Sequence, residues 1–441
     1  MSQVYLHGGM ILTLDGERRV YHPGTVVFEG STIRYVGDAA GAPPPGPDDI
    51  LQDCTSLLVM PGLINAHTHT GMTYFRGLLE DLPSVDWFRH ELDAERYLTP
   101  EDVYWSGLLG AYELLRQGVT ATADRFSNMD RVTDALVHAG LRAVVAPSLV
   151  DRGADQRKRS ALDLLERYGV ADDGLIQVGL GPVGPDTCST ELLQWTRQQA
   201  DRWGALIFIH VAQSRQELAE IARRGYQGSV RYLDAIGFLG GDVVAAHCIY
   251  VDEEEIALLE KHGVRVAHCP ASNAKIEGRI APVLQMRHEH VAVGLGTDCA
   301  ASNNSMDLFS EMKTAGLLHK IAAEDPQAMP VDQLLDLATR DSAALLNLAD
   351  RIGSLEVGKR ADVITVQRNQ PHLQPWHDPV AGLVYATRGL DVRDVWVDGQ
   401  QRVRDGQLIA SDFDEAIERA VQWVQRHAGP LAARREQEKT P

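Results

Sequence analysis

The chain has 441 residues, 44% hydrophobic and 23% charged, with 39 Gly and 20 Pro, a composition that excludes disordered, collagenous and fibrous proteins. Its 42 Lys and Arg against 61 Asp and Glu give a formal net charge of -19, which disfavours nucleic acid or an anionic membrane as a partner. No apolar run approaches the roughly 20 residues that span a bilayer, and the opening MSQVYLHGGM has neither a basic nor an apolar leader region, so the expected location is the cytoplasm. The five cysteines, Cys54, Cys188, Cys248, Cys269 and Cys299, are widely spaced without a CxxC pair and read as reduced packing residues.

Residues 4–6, 10–13, 25–28 and 33–36 are short β-type runs parted by Gly, Asp and Ser turns, the writing of small antiparallel strands. Residues 41–47, GAPPPGP, suit neither helix nor ladder and predict an exposed loop. From residue 58 the rhythm changes to short apolar runs alternating with helical stretches, the pattern of parallel βα units. Eight runs are candidate buried strands: 58–66, 119–124, 141–150, 175–182, 205–212, 243–250, 265–270 and 291–298. Helical periodicity is clear at 101–117, 190–203 and 253–262, and a terminal helix is expected over 412–427 with a frayed tail. Strand-like runs return at 361–366, 392–397 and 401–403, so the two chain ends are expected to share one sheet. The predicted class is α/β: a (β/α)8 TIM-like barrel over 59–355 and a small β-sandwich domain built from both ends, 1–58 and 356–410. A terminal helix and tail, 411–441, complete it.

In such barrels the active site lies at the C-terminal ends of the strands. His67 and His69 stand two apart at the end of the first candidate strand, so both imidazoles face one side. His210 ends the fifth, His247 lies late in the sixth and Asp298 ends the eighth. Singly, each reads at least as well as a hydrogen-bonded rim residue, or for Asp298 as a helix cap. Jointly they converge on one rim and suit one divalent metal ion, zinc first and iron second, with a position left for water. Such an ion brings the pKa of bound water to about 7. Asp298 is placed to take the proton, and His247 to hydrogen-bond the water or the group under attack. No lysine ends the fourth strand, so a second metal bridged by a carbamylated lysine is not expected.

At these residues the chain resembles the amidohydrolase superfamily, within its metal-dependent aminohydrolases and chlorohydrolases. The resemblance is carried by His7-Gly8-Gly9, the run from Pro61 to His69, Ala246-His247-Cys248, His268 to Asn273, Leu295 to Asp298, and Gly353 to Asp362. Met72, Arg76-Gly77, Glu80-Asp81-Leu82, Trp87 and the run from Ala300 to Ser305 are similar to 5'-methylthioadenosine/S-adenosylhomocysteine deaminases, and s-triazine hydrolases share the group. The resemblance implies His67, His69, His210 and Asp298 as metal ligands, His247 near the nucleophile and Glu80 on ribose hydroxyls. It also points to Trp87, Asp186, Gln213 and Ser302 as substrate contacts, and to a homo-oligomer. A solvated loop carboxylate beside Asp81 and Asp86 accounts for Glu80 equally well.

The chain departs from the deaminase pattern at three residues. The glutamate expected three residues after the fifth-strand histidine is Gln213, and a carboxamide cannot shuttle a proton to a ring nitrogen. The fourth-strand Gly-Pro-His-x-Pro-Tyr is written Gly181 to Asp186, with Val183 for the histidine and Asp186 for the tyrosine. Asp186 either brings a carboxylate into the pocket or forms a turn before Thr187; Glu217 and Asp186 are the candidates to compensate. The expected reaction is hydrolytic deamination of an adenosine-like or related amino-heteroaromatic compound, a small heterocyclic substrate. Dechlorination or N-dealkylation of an s-triazine-like ring is the alternative, since chloride leaves without a proton. A non-catalytic metal- or ligand-binding scaffold is the alternative from another class.

Overall fold

The computed structural model describes residues 2–170 and 174–438. Strands β1 (Gln3–Leu12), β2 (Val20–Glu29), β3 (Thr32–Asp38), β4 (Ile50–Asp53) and β5 (Leu57–Pro61) come first. The middle of the chain supplies β6 (Leu63–Thr68), β7 (Val119–Phe126), β8 (Arg142–Leu149), β9 (Ile176–Val178), β10 (Gly181–Pro182), β11 (Ile207–Val211), β12 (Val243–His247), β13 (Arg265–His268) and β14 (Val293–Leu295). Then follow β15 (Val363–Gln367), β16 (Val392–Val397), β17 (Gln400–Arg404) and β18 (Gln407–Leu408).

The two chain ends form one nine-stranded sheet in the order β18-β17-β16-β15-β5-β1-β2-β3, with β4 against β1. Phe28 on β2 and Trp396 on β16 lie edge to face with ring centroids 6.1 Å apart. A flat sheet would hold those two strands roughly 19 Å apart, so this sheet coils back on itself. Leu6, Ile11, Val26, Val59 and Val363 fill the core inside the coil.

In the middle, β6, β7, β8, β9 and β10 form one parallel sheet, and β11, β12, β13 and β14 a second. Single parallel bridges, Leu180↔Ile207 and Thr68↔Asp298, join the two sheets at both edges. Every residue of β8, β11 and β12 is buried, as strands covered on both faces require. One core is made by Ile64, Ala66, Ala121, Ala123, Val144, Ala146, Phe208, Val244 and Ala246, spaced by two along each strand. Alternate neighbours such as Leu63, Val145 and Val243 join the larger core that includes the helices.

The run 58–66, expected as one strand, is two. Residues 57–61 pair with β15 in the terminal sheet, and the parallel strand begins at Leu63. Gly62 makes the break: a Cβ there would lie 2.1 Å from Thr120 Oγ1, so the chain can step between sheets only where it has no side chain. The run 175–182 divides likewise into β9 and β10. Helix α1 (Ser84–Glu95) and α2 (Pro100–Arg116) follow β6, and α2 opens with a Thr99/Asp102 capping box. Helices Thr190–Trp203 and Glu253–Lys261 fall where periodicity predicts them. The terminal helix extends to Glu438, well past the expected residue 427, and its Trp423 packs on Tyr74 and Phe75 with centroids 5.7 and 5.6 Å away. Among the described residues no helix is long and apolar enough to cross a membrane, and the five cysteines are buried and free.

Candidate active site

Regular alternation would not bring all five expected polar groups to one point. With Ile64 and Ala66 facing the inner core, His67 belongs to the opposite face. The β6/β7 register slips between Asn65 and Thr68, where one extra residue on β6 makes a bulge that turns His67 and His69 inward. His247 follows the inward Ala246 and is re-aimed by a left-handed backbone, φ 73°, while Asp298 has φ 59°. Non-glycine residues in this region each cost of order 1–3 kcal/mol and are held by their surroundings. His210 needs no such device, since it continues the alternation of Phe208.

The result is a compact donor set. The His67 ring centroid lies 4.7 Å from that of His69, 5.1 Å from His210 and 5.5 Å from His247. Asp298 Oδ1 stands 3.2 Å from His69 Nε2 and 3.5 Å from His67 Nε2. Its Oδ2 accepts hydrogen bonds from Ser272 Oγ at 2.6 Å and Ser302 Oγ at 2.8 Å.

Second partners fix the tautomers. His69 Nδ1 donates to the Arg125 carbonyl at 2.6 Å and His210 Nδ1 to the Val183 carbonyl at 2.7 Å. Burial lowers the pKa of both rings, and that of His67 to about 4, so the imidazoles are neutral. His69 and His210 therefore each present a bare Nε2, and these two atoms face one another at 3.4 Å. His67 Nε2 is buried without a hydrogen-bond partner. Lone pairs converging beside a carboxylate fit a divalent cation, with the outer nitrogens held as ligand histidines commonly are. His247 Nδ1 donates to Asn273 Oδ1 at 2.9 Å, so its Nε2 is an acceptor toward the same space.

His69, His210, His247 and Asp298 line a cavity together with Met72, Trp87, Phe88, Glu91, Glu95, Arg125, Arg157, Asp186, Gln213, Ile249 and Glu277. Trp87, Asp186 and Gln213 are thus brought to the cavity as the sequence suggests. Ser302 is occupied by Asp298, and Cys299 lines the wall with its thiol pushed up by burial. Glu80 lies outside the lining, ion-paired with Lys275 at 2.8 Å and bonded to Asn304 Nδ2 at 2.8 Å. Tyr74 and Phe75 are packed under the terminal helix. His268 turns away and pairs with His319, Nε2 to Nε2 at 3.1 Å. Glu217 accepts from the amides of Ala212 at 2.6 Å and Gln213 at 2.9 Å and fastens that loop, outside the cavity.

Among the lining residues that escaped sequence reasoning are two arginines and a pair of glutamates. Arg125 and Arg157 gather on Ser148, one through its hydroxyl at 2.7 Å and one through its carbonyl at 3.2 Å. Glu91 and Glu95 hydrogen-bond to each other, and burial raises both carboxyls. The candidate strand 119–124 stops one residue short of Arg125, and nothing in the sequence shows that this arginine crosses the unsubstituted Gly181, whose Cβ would meet Arg125 Cγ at 2.8 Å.

The parallel α/β fold and this donor set together define a hydrolytic enzyme. The chain belongs to the amidohydrolase family, whose model matches residues 58–402. It is 40% identical over 433 residues to a 5'-deoxyadenosine deaminase of Methanopyrus kandleri, covering 95% of this chain and 98% of that protein. It is 38% identical over 434 residues to a 5-methylthioadenosine/S-adenosylhomocysteine deaminase of Pelotomaculum thermopropionicum, covering 97% of this chain and 100% of that one. Among solved structures, an adenosine deaminase from Xanthomonas campestris with bound zinc superposes with a TM-score of 0.92 at 31% identity, over 96% of this chain and 98% of that one.

Proposed function

We propose that the protein is a metal-dependent aminohydrolase that replaces an amino group on a ring carbon of an adenosine-like heterocycle by water. The observation that carries this is the clustering of His67, His69, His210 and Asp298, with the bare His69 and His210 Nε2 atoms 3.4 Å apart, beside one cavity. The similarity to deaminases across nearly the whole chain directs the reading to an exocyclic amine. In this reading the two parallel sheets are one (β/α)8 barrel over about residues 59–355, and the coiled sheet of both ends is a small β-sandwich, followed by the terminal helix. The protein works in the cytoplasm as a homo-oligomer.

His67, His69, His210 and Asp298 would hold one divalent ion, zinc first. When bound, that ion supplies a Lewis acid and makes a water acidic enough to lose a proton near neutrality. Asp298 takes the proton of the attacking water and later gives it to the departing amine. His247 orients that water through its acceptor Nε2, and the hydrogen bond to Asn273 Oδ1 keeps the ring in that tautomer. Trp87, Phe88, Met72 and Ile249 offer apolar walls to a flat ring, which excludes bulk water and fixes its orientation.

Zinc-loaded protein is expected to release ammonia from 5'-deoxyadenosine, 5'-methylthioadenosine or adenosine, with zinc lost and activity abolished in H210A. A second reading is hydrolytic dechlorination, favoured by one observation: Gln213 lines the cavity where an acid would be needed for an amine but not for chloride. Chloride release from chlorotriazines without ammonia from any aminated heterocycle would replace the first reading by the second.

A further inference from the structure

Loss of ammonia needs a proton at the ring nitrogen beside the attacked carbon, and the cavity must supply it. Five carboxyl groups line the space. Asp298 faces His67 and His69 and is bonded to Ser272 and Ser302. Glu277 accepts from Ser84 and from Tyr250 Oη. Glu91 and Glu95 bond to one another. Of these five, only Asp186 has an oxygen, Oδ1, that is buried without a hydrogen-bond partner.

Its position is built by two neighbours. A Cβ on Gly184, which lies beside the His210 carbonyl, would stand 2.7 Å from Asp186 Oδ1, so glycine there lets the carboxyl lie close over the backbone. Arg224 donates to the Asp186 carbonyl oxygen at 2.7 Å and holds the turn from behind. The carboxyl thus stands beside the loop that carries Gln213, whose neighbour Glu217 is already committed to backbone amides. Burial raises the Asp186 carboxyl, against hydrogen bonds from its own and the Thr187 amides and the Arg224 charge; Glu220 and Glu217 are the acidic groups nearby. It is therefore able to carry a proton closer to neutrality than an exposed aspartate.

We infer that Asp186 is the general acid of this site, giving its proton to the ring nitrogen in the place of a carboxyl at position 213. This inference rests on the deaminase reading above. As the C–O bond forms, the water proton passes to Asp298 and the Asp186 proton to the ring nitrogen. On collapse, the carbinol O–H proton returns to Asp186, the Asp298 proton joins the amine, and the C–N bond breaks to release ammonia.

The test is kcat/KM for ammonia release between pH 5 and 9 in the zinc-loaded unaltered enzyme, D186N and D186N/Q213E, with zinc content and circular dichroism on each. D186N is expected to lose about 100-fold or more, the scale of general acid catalysis, with zinc retained. It should also lack the alkaline limb that marks deprotonation of the acid. D186N/Q213E is expected to regain at least about tenfold, because it restores a carboxyl on the same side of the ring. A zinc-loaded D186N within about threefold of the unaltered enzyme, or with the same pH profile, overturns the inference and leaves the deaminase reading standing. If D186N loses zinc, D186S, which can keep the turn, is judged by the same criteria. No ammonia from any aminated heterocycle with the unaltered enzyme overturns the deaminase reading, and this inference with it.

Discussion

His67 and His69 show how far a residue-level rule carries. Their spacing by two announced a shared direction, and the structure keeps it, but the direction itself is set by the β6 bulge, which no spacing reveals. His210 was fully legible because it obeys the alternation of its strand. Glu80 was not, because the lysine that engages it lies 195 positions away. Histidines outside the cavity matter differently. His268 and His319 are buried against each other, and burial lowers His319 to about 4 and His268 well below its usual value. Both stay neutral in the folded chain while the unfolded chain takes up protons below about pH 6.5. Stability is therefore whole above that pH and is lost as the pH falls toward 4. His319 alone is expected to cost roughly 2 kcal/mol by pH 5. Urea melts at pH 7 and pH 5 check this: H319Q should narrow the difference, and an unchanged difference refutes the assignment.

At the scale of elements, the cavity's roof and its support come from segments remote from the parallel strands. One face of α1 contributes Trp87, Phe88, Glu91, Leu92 and Glu95 to the lining. Strand patterns located the rim because alternation and burial are written locally; they said nothing of which helix folds over it, since that depends on long-range packing. The terminal helix is a similar case. Its Trp423 is buried on Tyr74 and Phe75, which follow His69 within a short helical turn, Thr70–Phe75. W423A should cost about 3–5 kcal/mol, as emptying an aromatic site does, and should weaken zinc retention by loosening the segment behind His69. Thermal melts with zinc content after dialysis measure both; a destabilised variant that holds zinc as tightly as before would separate the helix from the site.

On the scale of the whole molecule, the sheet of the chain ends and the parallel strands are joined by one buried cation. Arg142 at the start of β8 donates through Nε and Nη2 to Asp362 at 3.0 Å each, and through Nη2 to Asp398 at 3.1 Å. Burial opposes the charge, but the two carboxylates outweigh it and raise the guanidinium pKa further. R142A leaves Asp362 buried without its counter-ion and is expected to cost about 3–5 kcal/mol. Urea unfolding followed by tryptophan fluorescence would show this, and a loss below about 1 kcal/mol would mean that solvent reaches the gap.

The pairing of β5 with β15 reaches further. All five residues of β5 are buried; one edge of the strand is covered early by β1, but the other finds its partner only at 363–367. During synthesis on the ribosome, that apolar edge emerges early and waits while nearly the whole central region is translated. An unpaired edge of this kind invites association with other nascent chains. A chaperone that shields it until residue 367 appears should raise the yield of native enzyme in vivo without altering the finished fold.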